Sequence, residues 1–268
     1  MFTASSLSRY WFFLQNFSNA PSLISNLRGG GLLASGPACD EARLWNGKRI
    51  VHPAGKGGLV GTILEVWYAR CYSRPEFYRP GAGDLILDVG ANVGLFSLLS
   101  GREAPKCDIH SYEACAETYQ CLKSNVENFA LSNVNVHHVA VGDRRGIVNL
   151  DQATNRSTDA HIVDAESADA PGAVEMVPFE EIVTSFDREI ALLKMDIEGS
   201  EKAALGSLSP DALSKIQRIA MEYHDNLQPG TLDLLLSKLE GTFDVTVEPE
   251  CDDAGQEQDY GMLWATRK

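Results

Sequence analysis

Seven residues, Asp88-Val89-Gly90-Ala91-Asn92-Val93-Gly94, carry the sharpest chemical signal in the chain. Gly90 and Gly94 permit a tight turn and a close backbone approach to a ligand. A dinucleotide fingerprint would read G-x-G-x-x-G and leave room for a pyrophosphate. Here Asn92 stands at the second glycine position, where its side chain would crowd a pyrophosphate, and Asp88 sets a carboxylate just before the turn. That suits a cationic or zwitterionic ligand better than a phosphate. Glu113 follows 23 positions after Gly90 (113 − 90), a spacing at which a carboxylate can accept ribose hydroxyls. Taken singly, the glycine turn could serve packing and Glu113 could be a surface residue. Together they describe a site for a nucleoside with no phosphate and a positive charge.

Two further clusters fall later. Lys194-Met195-Asp196-Ile197-Glu198-Gly199-Ser200-Glu201 sets three acids and a lysine at the expected end of a strand. Glu201 could simply charge the start of the next helix, whereas Asp196 and Glu198 are harder to explain as packing. Glu222-Tyr223-His224-Asp225 ends the following strand, where alternation points Glu222 and His224 the same way. A lone histidine is more often structural than catalytic, but two polar residues on one side of a strand end favour a functional reading.

The elements that must position these residues follow from periodicity. Leu85 to Val89 is an apolar run ended by Gly90 and reads as a buried strand. Val93 to Gly101 reads as a helix and Cys107 to Glu113 as a second strand. Tyr119, Leu122, Val126 and Phe129 mark one helical face. Val134 to Val141, Ile190 to Ile197 and Ile216 to Tyr223 read as further strands, with helices near 200–208 and through Leu232 to Leu239. Alternating strands and helices imply a mostly parallel sheet covered on both faces. Phe243 to Val247 and Met262 to Thr266 leave no room for a helix between them, so they pair as a hairpin and give the sheet an antiparallel edge. Gly146 to Leu150 and Val174 to Phe179 look like extra strands, and the polar stretch Thr154 to Gly172 between them reads as a surface loop or a flap over the site. Near the start, Leu7, Tyr10, Trp11 and Leu14 recur at helical spacing, as a helix packed on the main domain, and Asn26 to Pro37 reads as a flexible joint around three glycines. Trp45 to Tyr78 is expected to cover one face of the domain.

Composition narrows the partners. The chain has 268 residues, 44% hydrophobic and 22% charged, with a net charge of −14. It can bury a real core. The negative charge argues against nucleic acid and against an anionic membrane surface. No apolar run approaches a membrane span, and no signal peptide is read at the start. Six scattered cysteines without a C-x-x-C pair look like reduced thiols in a cytoplasmic protein.

The combination of Asp88 to Gly94, Glu113, Lys194 to Glu201 and Met221-Glu222-Tyr223-His224 resembles the FkbM family of S-adenosylmethionine-dependent methyltransferases. The resemblance covers Gly83 to about His224. It implies a class I methyltransferase fold, α/β and Rossmann-like, with a seven-stranded, mostly parallel sheet whose last strand is antiparallel. Residues 83–268 would form the S-adenosylmethionine domain, and 1–82 an extension serving as lid, acceptor-binding or oligomerisation segment. Asp88, Gly90, Asn92, Gly94, Glu113, Ala140 and Asp196 are then expected to hold the cofactor. The expected activity is methylation of a hydroxyl on a small molecule, a sugar or natural-product intermediate, by a chain that could act as a homodimer. His224 is the candidate base, being best tuned near neutral pH, with Asp196, Glu198 and Glu222 orienting it or binding the acceptor. A variant has Asp196, Glu222 and His224 hold a divalent metal; the metal-free version is put first. Methylation of nitrogen, on a small molecule or nucleic acid, and a non-catalytic S-adenosylmethionine-binding scaffold stay open. A dehydrogenase is disfavoured by Asn92 and Asp88.

Overall fold

A computed structural model describes residues 6–28, 40–151, 161–164, 172–252 and 254–268. The amino-terminal part comprises α1 (Ser6–Asn16), α2 (Ala20–Arg28), the hairpin β1 (Glu41–Arg43) and β2 (Arg49–Val51), and α3 (Leu59–Thr62), which runs into a π-helix (Ile63–Tyr68). Then come β3 (Leu85–Val89), α4 (Leu95–Glu103), β4 (Asp108–Glu113), α5 (Ala116–Phe129) and β5 (Val134–His138). A small sheet follows, of β6 (Ala140–Gly142), β7 (Gly146–Asp151), β8 (His161–Asp164) and β9 (Val174–Pro178). The chain continues through α6 (Phe179–Thr184), β10 (Leu192–Met195), α7 (Glu201–Gly206), α8 (Pro210–Ser214), β11 (Arg218–His224), α9 (Thr231–Leu239), β12 (Phe243–Cys251) and β13 (Glu257–Arg267).

The main sheet has seven strands in the order β12-β13-β11-β10-β3-β4-β5. β11, β10, β3, β4 and β5 pair in parallel, and β13 runs antiparallel to both β11 and β12. This is the sheet of a class I methyltransferase. The hairpin forms as expected, but its antiparallel member lies one place in from the edge, because β13 inserts between β11 and β12. The central strands are apolar on both faces because both faces are covered: every residue of β3 and β10 is buried. The expected third strand, Val134 to Val141, is two strands: the chain leaves the main sheet after His138 and enters the small sheet at Ala140.

Strand alternation sorts the two cores. Leu85, Leu87 and Val89 of β3, Leu193 and Met195 of β10, and Ile219, Met221 and Tyr223 of β11 pack with α6 to α9. Ile86, Leu192 and Ala220 face the other way, toward α4, α5 and the amino-terminal part. Phe13, Phe17, Leu23, Ile50, Ile63 and Trp67 join that second core, so Trp45 to Tyr78 covers one face of the sheet as expected. The helix α1 docks through Phe13, and Phe17 follows just past its end; both are fully buried. Three of the four residues picked out by periodicity lie on its outer side: Leu7 is 75%, Trp11 62% and Leu14 46% exposed, while Tyr10 is half-buried. The expected joint falls mostly at 29–39, and most of the expected flap at 152–160 and 165–171, outside the described residues. Within the flap, His161–Asp164 is a strand paired with β7. No helix among the described residues is long and apolar enough to cross a membrane.

Truncating Phe13 to alanine should therefore cost about 3–5 kcal/mol, as large cavities in packed cores do. Leu7→Ala, on the outer side, should stay within about 0.5 kcal/mol. Denaturant unfolding of both variants checks the assignment, and equal losses would show that α1 docks otherwise.

Candidate functional site

The carboxyl ends of β3, β4 and β10 open on a cleft floored by Gly90 and Asn92 and bordered by Glu113, Ala140, Asp196 and Glu198. Such crevices at strand ends are where ligands bind in open α/β sheets. Gly90, at φ 76°, is required twice over: a Cβ there would lie 1.7 Å from the backbone oxygen of Asp196. The absence of a side chain lets the turn after β3 meet the end of β10. Gly94 caps α4 in the left-handed conformation, and its missing Cβ leaves room for Leu122, so it serves helix packing and does not line the cleft.

Glu113 is buried at the end of β4. Its Oε1 accepts from the Cys115 amide at 2.8 Å and the Thr118 hydroxyl at 2.8 Å, and its Oε2 from the Asn92 amide at 2.7 Å. A carboxylate has about four acceptor sites, so Oε2 keeps room for a ligand hydroxyl. Burial pushes this carboxyl above its ordinary pKa, opposed by those three donors. Asn92 holds φ 50°, and its buried Oδ1 has no hydrogen-bond partner. The remaining walls include Val139, Val141, Leu150 and Ile197, and among the described residues no basic side chain lines the cleft. Three carboxylates, an orphaned amide oxygen and apolar walls fit a cationic nucleoside and offer nothing to a phosphate.

Asp88 departs from expectation. Alternation turns it with Ile86 toward the amino-terminal part, not into the cleft. It is fully buried, with Oδ2 accepting from Ser97 at 2.6 Å and Oδ1 lying 3.2 Å from the Lys194 ammonium. Lys194 also donates to the Gly90 carbonyl at 2.5 Å. Burial lowers the Lys194 pKa, but the neighbouring carboxylates, Asp88 foremost, outweigh it and the net shift is upward. The pair is a buried clamp between β3 and β10 that holds the glycine turn.

Beyond the cleft lies a group of acids around His224. His224 is 5% exposed. Its Nδ1 lies 3.0 Å from Glu201 Oε1, and its Nε2 3.5 Å from Glu198 and 3.8 Å from Glu222. Glu222 and His224 thus share a side, as alternation requires. Glu201 does not merely charge a helix start: it has no exposed surface and accepts from the amides of Ile197 at 3.1 Å and Gly199 at 3.1 and 3.2 Å. Asp196 joins the two regions. It borders the cleft, its Oδ2 accepts from the Tyr72 hydroxyl at 3.0 Å, and its Oδ1 is buried without a partner. Tyr72, in the amino-terminal part, carries no sequence signal that would have marked it. Glu65, in the π-helix, adds negative charge felt by Tyr72 and Glu222. Among the described residues, those whose ligand atoms converge within 4.8 Å are Asp196, Glu198 and His224, so Glu198 takes the place expected for Glu222 in a metal set.

These surroundings change the role of His224. Burial lowers its pKa, but Glu201, Glu222 and Glu198 raise it further, to about 10. At neutral pH it is an imidazolium among acids, not the base expected from its unperturbed pKa. Glu222 also shifts upward, which for a carboxyl disfavours the charged form: burial and the charge of Asp196 raise it well above its usual range. Because the folded-state pKa of His224 is raised, its stabilising contribution is complete below about pH 6.5 and is lost as pH rises toward about 10. Nitrogen-15 NMR of the metal-free protein should find both ring nitrogens of His224 protonated at about pH 8. A midpoint near 6.5 would contradict the arrangement.

Residues 88–244, more than half of the chain, match the Methyltransferase FkbM domain. The 31-O-demethyl-FK506 methyltransferase FkbM of Streptomyces tacrolimicus is 27% identical over 254 residues, 81% of this chain and 94% of that protein. Methyltransferase 1 of Beauveria bassiana is 24% identical over 195 residues, 65% of this chain and 77% of that one. Among solved structures, M. jannaschii TYW2 in complex with AdoMet superposes with a TM-score of 0.45 at 11% identity, covering 88% of this chain and 90% of that one. With the domain match running from Asp88 through the cleft and the His224 cluster, the chain belongs to the FkbM family of S-adenosylmethionine-dependent methyltransferases.

Proposed function

We propose that this protein methylates a hydroxyl on a small polar molecule. The observation that carries the reading is Asp196, which borders the cleft with one side and the acid group with the other, and whose Oδ1 has no partner. A hydroxyl hydrogen pointed at that oxygen would satisfy it. The Streptomyces relative, named for an O-demethyl acceptor, supports oxygen as the target. The net charge of −14 favours a small acceptor over nucleic acid.

S-adenosylmethionine would supply an electrophilic methyl group on a sulfonium, held by Glu113, Gly90, Asn92 and Ala140. The chain's own residues then have two tasks. The first is placement: Tyr72 fixes Asp196 through its hydroxyl, and Asp196 orients the acceptor oxygen toward the cleft. Such positioning can supply roughly 7–11 kcal/mol of a barrier in favourable cases. The second is proton removal. Glu222, with its raised pKa, is suited to take the hydroxyl proton. His224 holds Glu198 and Glu222 beside it and offsets their charge.

Glu113→Ala should weaken S-adenosylhomocysteine binding about tenfold to a hundredfold, the worth of roughly 1.5–3 kcal/mol in charged hydrogen bonding. Calorimetry with the folded variant reads this directly, and NAD should not bind at all. Glu222→Gln should lower kcat by roughly 10²–10⁴-fold while leaving S-adenosylhomocysteine affinity nearly unchanged. Near-normal turnover would remove Glu222 from the reaction. A methyl group found on nitrogen in the product would overturn the choice of oxygen.

A further inference from the structure

We propose that Asp196, Glu198 and His224 form a seat for one divalent cation of the manganese or magnesium class. Their ligand atoms lie within 4.8 Å of one another, and they come from two adjacent strand ends, β10 and β11. Around an octahedral ion at about 2.1 Å, neighbouring ligands are roughly 3 Å apart and opposite ones about 4.2 Å, so small side-chain movements close the set.

Two observations apart from the acid cluster point to an ion. Asp196 Oδ1 is buried and has no hydrogen-bond partner, though its other oxygen is held by Tyr72. His224 is oriented as metal-binding histidines are: one ring nitrogen is fixed by a buried carboxylate, here Glu201 at 3.0 Å, which leaves Nε2 facing Glu198. Glu201 is in turn held by the amides of Ile197 and Gly199, within the loop that carries Glu198. The orienting group and the ligands therefore form one rigid unit. An imidazole with two carboxylates suits manganese better than calcium, which prefers oxygen alone. A bound divalent ion would balance the carboxylates of Asp196 and Glu198 where they meet.

Binding of the ion stands apart from the methyl-transfer reading. Its use, lowering the pKa of an acceptor hydroxyl held beside Asp196, rests on that reading. Glu222 lies outside the three-atom set and stays free to take the released proton.

The test is titration of the chelator-treated full chain with Mn²⁺, followed by calorimetry and electron paramagnetic resonance. One saturable ion per chain is expected, with Mg²⁺ competing. Glu198→Gln should weaken it at least about tenfold, and Glu201→Gln, which touches no ion, by about 10–100-fold. Asp211→Asn, on α8, should leave it unchanged. In the wild-type protein, bound Mn²⁺ should broaden the His224 ring signals, a readout that needs no variant to fold. Absence of a saturable site, unchanged affinity in folded Glu198→Gln, or unbroadened His224 signals would overturn the proposal. Specific Mn²⁺ binding without any effect of chelator on methyl transfer would uphold the seat and remove the ion from catalysis.

Discussion

The arrangement depends on one buried carboxylate. Glu201 has no exposed surface, and its charge is met by two backbone amides of the loop after β10 and by His224 on β11. Burying an unpaired carboxylate would be prohibitive. The loop must therefore curl over Glu201 with Glu198 and Gly199 in left-handed conformations, φ 48° and 96°. That curl sets Glu198 opposite His224 and brings the Asp196 carbonyl against Gly90, where no other residue fits. Loop, histidine and glycine turn are thus one constraint seen from three strands.

A second regularity is the parity of the strands. Asp88, Lys194, Asp196, Glu222 and His224 all fall on the positions that alternate away from α6 to α9. The amino-terminal part covers that face with Tyr72, Glu65 and the apolar side chains around Trp67. Charged residues buried at this face survive by pairing: Asp88 with Lys194, and His224 with Glu201 at the start of α7. Trp264 on β13 anchors the covering segment by donating to the Cys71 carbonyl at 2.9 Å, while Arg74 stacks on its ring and pairs with Glu248. Residues 71–74 are therefore packed against the site.

Much of this was legible in the sequence, for identifiable reasons. The glycine turn, Glu113 and the two acid-rich strand ends could be found because local spacing fixes them: a strand, a turn, and a second strand 23 positions on. Asp88 was misread because a carboxylate beside a glycine turn can face either side, and only its pairing with Lys194 decides. His224 was found but its state was not, since a pKa depends on neighbours such as Glu201 and Glu198 that converge in space. Periodicity located α1 but chose the wrong side: Trp11 and Phe13 are both large and apolar, and only the groove that receives Phe13 distinguishes them. The break after His138 has no marker, because Val139 suits either sheet. Tyr72 was invisible, since nothing local links it to a residue 124 positions away.

The most direct measurement is a crystal structure of the full chain with S-adenosylhomocysteine. The ribose is expected on Glu113 and the sulfur turned toward Asp196, with Tyr72, Glu198 and Glu222 around the space beyond it. A nucleoside bound away from Glu113, or a sulfur facing a side other than Asp196, would contradict this arrangement.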